Sequence, residues 1–141
     1  MHANYANRKS RGLVFAELSY RLTGTFYKIH NELGRNLREK QYADALEVAL
    51  KQLAISYERE KRVSVSYSGV QLPAGVADFI IDAKIAVDIK AKKFITKEDY
   101  QQMLRYLKAR KLRLGLIVNF RSAYLKPKRI LNSELRFASF A

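Results

Sequence analysis

Residues 76–91 read VADFIIDAKIAVDIKA. Two short apolar runs, Val76–Ile81 and Ile85–Ile89, are separated by Asp82-Ala83-Lys84. Runs of this length, rich in Ile and Val and broken by a polar turn, predict two antiparallel strands. Each run carries an acid, Asp78 in the first and Asp88 in the second, and Lys90 follows two positions on. Asp is depleted in strands, and a buried carboxylate is costly without a partner. Alternate residues share a strand face, so Asp88 and Lys90 project together while Val87 and Ile89 face the other way. Directly opposed residues share a face as well. A three-residue loop makes Ile81 oppose Ile85 and Asp78 oppose Asp88, whereas a two-residue loop would send the acids to opposite faces. The odd-length loop is expected, and with it two carboxylates and one ammonium clustered on a single face.

Upstream, Leu18, Leu22, Phe26, Ile29 and Leu33 recur at helical spacing. They predict a helix over about Leu13 to Leu33, stopped by Gly34. A second helix carries Tyr42, Ala43, Leu46, Ala49, Leu50 and Leu53 on one stripe, with Asn36 as its N-terminal cap. Val63, Val65 and Tyr67 then alternate with Arg62, Ser64, Ser66 and Ser68, a strand that Gly69 turns. Pro73 and Gly75 mark the next segment as an edge or an irregularity. Downstream, Lys97–Arg110 reads as a helix burying Tyr100, Met103, Leu104 and Leu107. LRLGLIVNF (residues 112–120) reads as a central strand, and KRIL after Pro127 as a last short one. The order ααβββαββ predicts a single α/β domain over residues 11–141 behind a flexible segment at residues 1–10.

The chain has 141 residues, 27 Lys+Arg against 13 Asp+Glu, a net charge of +14 and no Cys. A hydrophobic content of 48% supports a core and excludes a disordered basic tail. The absence of Cys excludes disulfide scaffolds and thiolate sites, and two His exclude a multi-His zinc centre. No apolar run approaches the roughly 18–20 residues of a membrane span, and residues 1–12 show no signal-peptide core. A cytoplasmic protein without a membrane partner is expected. The charge excess attracts polyanions, nucleic acid first.

A third acid, Glu39, lies three residues before Tyr42 and seven before Leu46, so it continues the stripe of the second helix at its first turn. Asn36-x-x-Glu39 also has capping-box spacing, so Glu39 has two readings, as a site residue and as a helix-start residue. For Asp78, Asp88 and Lys90 a structural ion pair is the plainer reading, but one Lys does not neutralise two acids. Oxygen ligands suit Mg²⁺ or Mn²⁺, and such an ion would stabilise charge developing on a phosphate. Lys90 would orient the attacking water or stabilise that charge.

These residues resemble the PD-(D/E)XK nuclease superfamily. Asp78 matches its first acid and Asp88-Ile89-Lys90 its D/E-x-K. HNELGRNLREKQYADAL (residues 30–46), VADFIID, VDIKA and QQMLRYLKA, in that order, resemble the GxxExxY family within it, over roughly Leu18 to Ile130. Asn36 stands where that family has its glycine, so Glu39 and Tyr42 alone remain of the name motif. The resemblance implies a restriction-endonuclease-like domain with a central mixed sheet flanked by helices. It also implies a nuclease that hydrolyses phosphodiester bonds, with DNA favoured over RNA. It puts the metal on Asp78, Asp88, the Ile89 carbonyl and Glu39, and gives Lys90 a catalytic role. Gln102 and Tyr106 match site-adjacent residues of related nucleases, although Gln102 falls on the far side of the helix from Tyr100, Leu104 and Leu107.

Lys92, Lys93, Lys97 and Arg105 begin two residues beyond Lys90, and Arg35 and Arg38 precede Glu39. All six are candidate contacts to a phosphate backbone, each with a solvated surface as its plainer reading. Tyr20, Tyr27 and Tyr57 are candidate stacking residues that read equally as core or rim, and His30 reads as structural. Two alternatives stay open: a non-catalytic basic nucleic-acid-binding module on the same fold, and an interaction protein using its basic face. A homodimer fits the fold family, but no feature of the sequence shows one.

Overall fold

The computed structural model describes residues 14–133, so the expected flexible segment at residues 1–10 lies outside the described residues. Helices α1 (Ala16–Leu33) and α2 (Glu39–Gln52) lead into strands β1 (Tyr57–Tyr67), β2 (Val70–Ile81) and β3 (Ile85–Lys90). Helix α3 (Lys97–Arg110) then crosses to β4 (Leu114–Asn119), and β5 (Lys128–Leu131) follows. This is the expected ααβββαββ order. The strands form one sheet in the order β1-β2-β3-β4-β5. Only β3 and β4 are parallel, so the sheet is mixed.

Both faces of the sheet are covered. On one, Leu22, Phe26, Tyr42 and Leu46 of α1 and α2 pack on Phe79, Val87, Ile89 and Phe120. On the other, Met103, Tyr106 and Leu107 of α3 pack on Ile80, Ala86 and Ile117. Burial on two sides explains why β4 is apolar without alternation. It is an interior strand, but the middle place belongs to β3. Among the described residues no helix is long and apolar enough to cross a membrane.

The hairpin register is the one expected, with Ile81 opposite Ile85, Ile80 opposite Ala86 and Phe79 opposite Val87 around a three-residue loop. Asp82 and Ala83 hold that loop with positive φ, 52° and 55°. Pairing between β2 and β3 stops at Phe79 and Val87. The earlier part of β2 pairs with β1 alone, and its register slips between Val63 and Ser64 opposite Pro73–Gly75. The irregularity expected from Pro73 and Gly75 is therefore present, inside a continuous strand.

Two details depart from expectation. Asn36 does not cap α2; the cap position is Arg38. Gln41 Oε1 accepts from the Arg38 N–H at 3.0 Å. The Tyr42 hydroxyl donates to the Gly34 carbonyl at 2.6 Å and accepts from Leu37 N–H at 3.2 Å, which holds the turn between the helices closed. Helix α3 is also rotated from the expected stripe. Leu104 is only partly buried, while Asp99 and Tyr106 join Met103 and Leu107 inside.

Candidate active site

The site is built where β2 and β3 part. Beyond Phe79 and Val87 the backbone ladder ends, and the Asp78 side chain takes its place: Oδ2 accepts from the Ile89 N–H at 2.6 Å. Backbone N–H and C=O of one strand residue point to the same side, so the Ile89 carbonyl is turned to this split too. The Lys90 carbonyl points the other way and accepts from Phe120 N–H at 2.9 Å. The hairpin register, carried one residue on, sets Asp78 opposite Asp88. The Asp88 carboxyl is near enough for its charge to act on Asp78. Lys90 Nζ is 3.0 Å from Asp88 Oδ2. The structure thus brings Asp78, Asp88 and Lys90 to one place.

The electrostatics of this cluster are unbalanced. Burial, then the Asp88 carboxyl beside it, pushes the Asp78 carboxyl up to about 7, although the Ile89 N–H works against this. Burial pulls the Lys90 ammonium down, but the charge and hydrogen bond of Asp88 outweigh it and hold Lys90 above its ordinary value. Glu39 stands exposed on the first turn of α2. Its charge is felt at both Asp78 and Lys90, but it is not gathered with them. Among the described residues no group of three or more His, Cys, Asp or Glu side chains is placed to hold a metal ion.

Asp88 and Lys90 open into a cavity of about 330 Å³, lined also by Gly75, Gln102, Arg105 and Tyr106. Gln102 reaches it because the buried face of α3 is rotated toward Tyr106, by less than about a quarter turn from the stripe expected through Leu104. Burial pushes the Tyr106 hydroxyl up to about 12, so it stays protonated at neutral pH. Tyr42, by contrast, stacks on Phe120 with ring centroids 4.4 Å apart and belongs to the core. His30 is structural, its Nε2 donating to the Ser122 carbonyl at 2.9 Å.

Two polar residues that the sequence reading passed over support the cluster. Asp99, only 5% exposed, lies 2.7 Å from Lys92 Nζ and 3.9 Å from Lys90 Nζ. It also accepts from the Thr96 N–H at 2.7 Å while Thr96 Oγ1 accepts from the Asp99 N–H at 3.2 Å. Thr96-x-x-Asp99 has the spacing of a capping box, a signal present in the sequence. Buried Asn119 donates to the Lys92 carbonyl and accepts from the Lys92 N–H, tying the chain after β3 to the end of β4. Asp99→Ala removes the carboxylate that accepts from the Thr96 N–H and the shared partner of two ion pairs, while the Thr96 hydroxyl cap stays. It is expected to lower stability by about 1–3 kcal/mol, while Glu98→Ala next door, on an exposed side chain, changes it by less than about 0.5 kcal/mol. Thermal melts of the two variants check this.

A sequence profile of the PD-(D/E)XK nuclease superfamily matches residues 16–130, the span that holds every element from α1 into β5. The chain belongs to that superfamily. The fold agrees with a solved structure, the crystal structure of SSO0001, with a TM-score of 0.52 at 22% identity. The match covers 72% of this chain and 56% of that one, so the chain spans little more than half the length of SSO0001. No curated protein matches it in sequence.

The six expected phosphate contacts separate into different surroundings. Lys92 is engaged by Asp99, and Arg105 by Glu98 at 2.7 Å. Arg38 and Lys97 are exposed beside the starts of α2 and α3. Arg35 and Lys93 line a second groove, together with Arg121, Tyr124 and Lys126.

Proposed function

We propose that the protein is a divalent-metal-dependent nuclease that hydrolyses phosphodiester bonds, with DNA as substrate. The observation that carries this reading is Asp78 placed opposite Asp88 where the strands part, with Lys90 Nζ 3.0 Å from Asp88 and both Asp88 and Lys90 lining an open cavity on a +14 chain. Two half-buried acids against one ammonium leave a negative surplus of hard oxygen donors, which suits Mg²⁺ or Mn²⁺. Asp78, Asp88 and the Ile89 carbonyl would hold the ion, leaving positions for water, as Mg²⁺ ordinarily keeps several. Glu39 joins only if the first turn of α2 moves toward the split. The ion, when bound, supplies charge stabilisation and acidifies a water.

This chain's own residues do the rest. Lys90 lines the cavity, where its ammonium would donate to a phosphate oxygen and stabilise the charge that develops there. Asp88 and Asp99 orient Lys90 from two sides. Gln102 and Tyr106 offer further polar contacts from α3. The DNA preference rests on analogy with the superfamily. The finer kinship with the GxxExxY family rests on Glu39, Tyr42 and the motif order.

The test is a cleavage assay of the full chain on labelled single-stranded, duplex and branched DNA, and on RNA, with Mg²⁺, Mn²⁺ or EDTA. Cleavage with either metal and none in EDTA is the expected result. Salt-sensitive binding without any metal-dependent product would reject the nuclease reading and leave a binding module.

A further inference from the structure

The second groove, of about 460 Å³, lies where the chain leaves β3 and β4. Lys93 is three residues beyond Lys90, and Arg121 two beyond the end of β4. Asn119 holds these exits together through its bonds to Lys92 and to the Arg121 N–H at 3.3 Å. His30, bound to the Ser122 carbonyl, ties the far wall to α1, and Arg35 enters from the turn before α2. The groove therefore lies past the same strand ends at which Lys90 closes β3.

Four cations line it, Arg35, Lys93, Arg121 and Lys126, and no acid does. Among the described residues none of the four is in an ion pair, whereas Lys92, Arg105 and Arg110 all are. Tyr124, in the same groove, is 85% exposed. Phe94, next to Lys93, is 70% exposed. Cations alone would suit any polyanion. A solvent-facing ring among them adds a stacking platform, which suits bases that are not already stacked in a duplex.

We propose that this groove binds an unpaired nucleic-acid strand, with phosphates on Arg35, Lys93, Arg121 and Lys126 and a base stacked on Tyr124. The inference rests on the nuclease reading for the identity of the polymer, and names the substrate as a single strand or a single-stranded flank beside the cut.

Binding measured in EDTA separates this from the chemistry. Fluorescence anisotropy of the full chain would use a labelled 12-nucleotide oligothymidylate, an oligouridylate of equal length and a blunt DNA duplex. Tyr124→Ala is expected to weaken the single strands by about 5- to 100-fold and to leave the duplex within twofold. Tyr124→Phe keeps the ring and is expected to bind as wild type. Arg121→Gln is expected to reduce the slope of log affinity against log salt by about 0.7 on single strands. Both side chains are exposed, and unchanged melting temperatures confirm intact folds. Tyr124→Ala binding single strands as wild type does, or losing single strand and duplex alike, overturns the proposal. Cleavage absent with groove binding intact removes the nuclease reading alone; cleavage present with no Tyr124 effect removes the groove alone.

Discussion

Asp88→Ala is expected to abolish metal-dependent cleavage, with a loss of at least about 10³-fold, while leaving the fold and most nucleic-acid affinity. The variant removes one of two carboxylates at the strand split and the partner that holds Lys90 at 3.0 Å. Charge stabilisation in a preorganised site accounts for several kcal/mol of barrier, and each 1.4 kcal/mol or so is tenfold in rate. Asp78→Ala is expected to do the same. Lys90→Ala should lose less in ion affinity and as much in turnover, because the ammonium is not a metal ligand. Affinity should survive, because Arg35, Lys93, Arg121 and Lys126 are not ion-paired with Asp88. Single-turnover cleavage with titrated Mn²⁺, beside anisotropy in EDTA, separates these effects. An Asp88→Ala protein that cleaves at the wild-type rate would remove the site as drawn.

Asp78→Asn is expected to make the metal-free protein more stable at pH 8, even as it destroys activity. The native Asp78 carboxyl titrates at about 7, against 3.8 for an unperturbed one. Between these values the folded state keeps a proton that the unfolded chain has released, so stability falls as pH rises through this window. The penalty is absent below about pH 4 and complete above about pH 7, of order 2–4 kcal/mol. Asn keeps an oxygen for the Ile89 N–H and offers an N–H to Asp88, without the repulsion. In EDTA the variant should melt several degrees above wild type at pH 8 and level with it at pH 4. Adding Mg²⁺ should raise the melting temperature of wild type and leave Asp78→Asn little changed. Equal melting of the two proteins at pH 8 would show that the carboxylates do not strain each other. A site that costs stability is the usual trade of a functional cluster.

Much of this arrangement was legible in one dimension. The apolar periods placed α1, α2 and α3 and the strands. The loop Asp82-Ala83-Lys84 set the hairpin register, and parity then sent Asp78, Asp88 and Lys90 to one place. What failed in the reading failed for particular physical reasons. Asn36 has the right chemistry for a cap, but Gln41 satisfies the Arg38 N–H two residues later. Leu104 fits the apolar stripe of α3, yet docking on the sheet turned Tyr106 and Asp99 inward instead. That rotation is why Gln102 reaches the cavity.

Residue chemistry and spacing along the chain were enough to name the elements, the register and the acidic pair with its lysine, because each depends on neighbours a few positions apart. The surroundings of the cations did not. Lys92 and Lys93 are adjacent in sequence, yet one is held by Asp99 from the start of α3 and the other faces a groove completed by Arg35, Arg121 and Tyr124. Asp99 is seven residues on but the groove's other residues are tens of residues away, and only the fold, with β3 and β4 ending side by side, decides which charges are neutralised and which stay free.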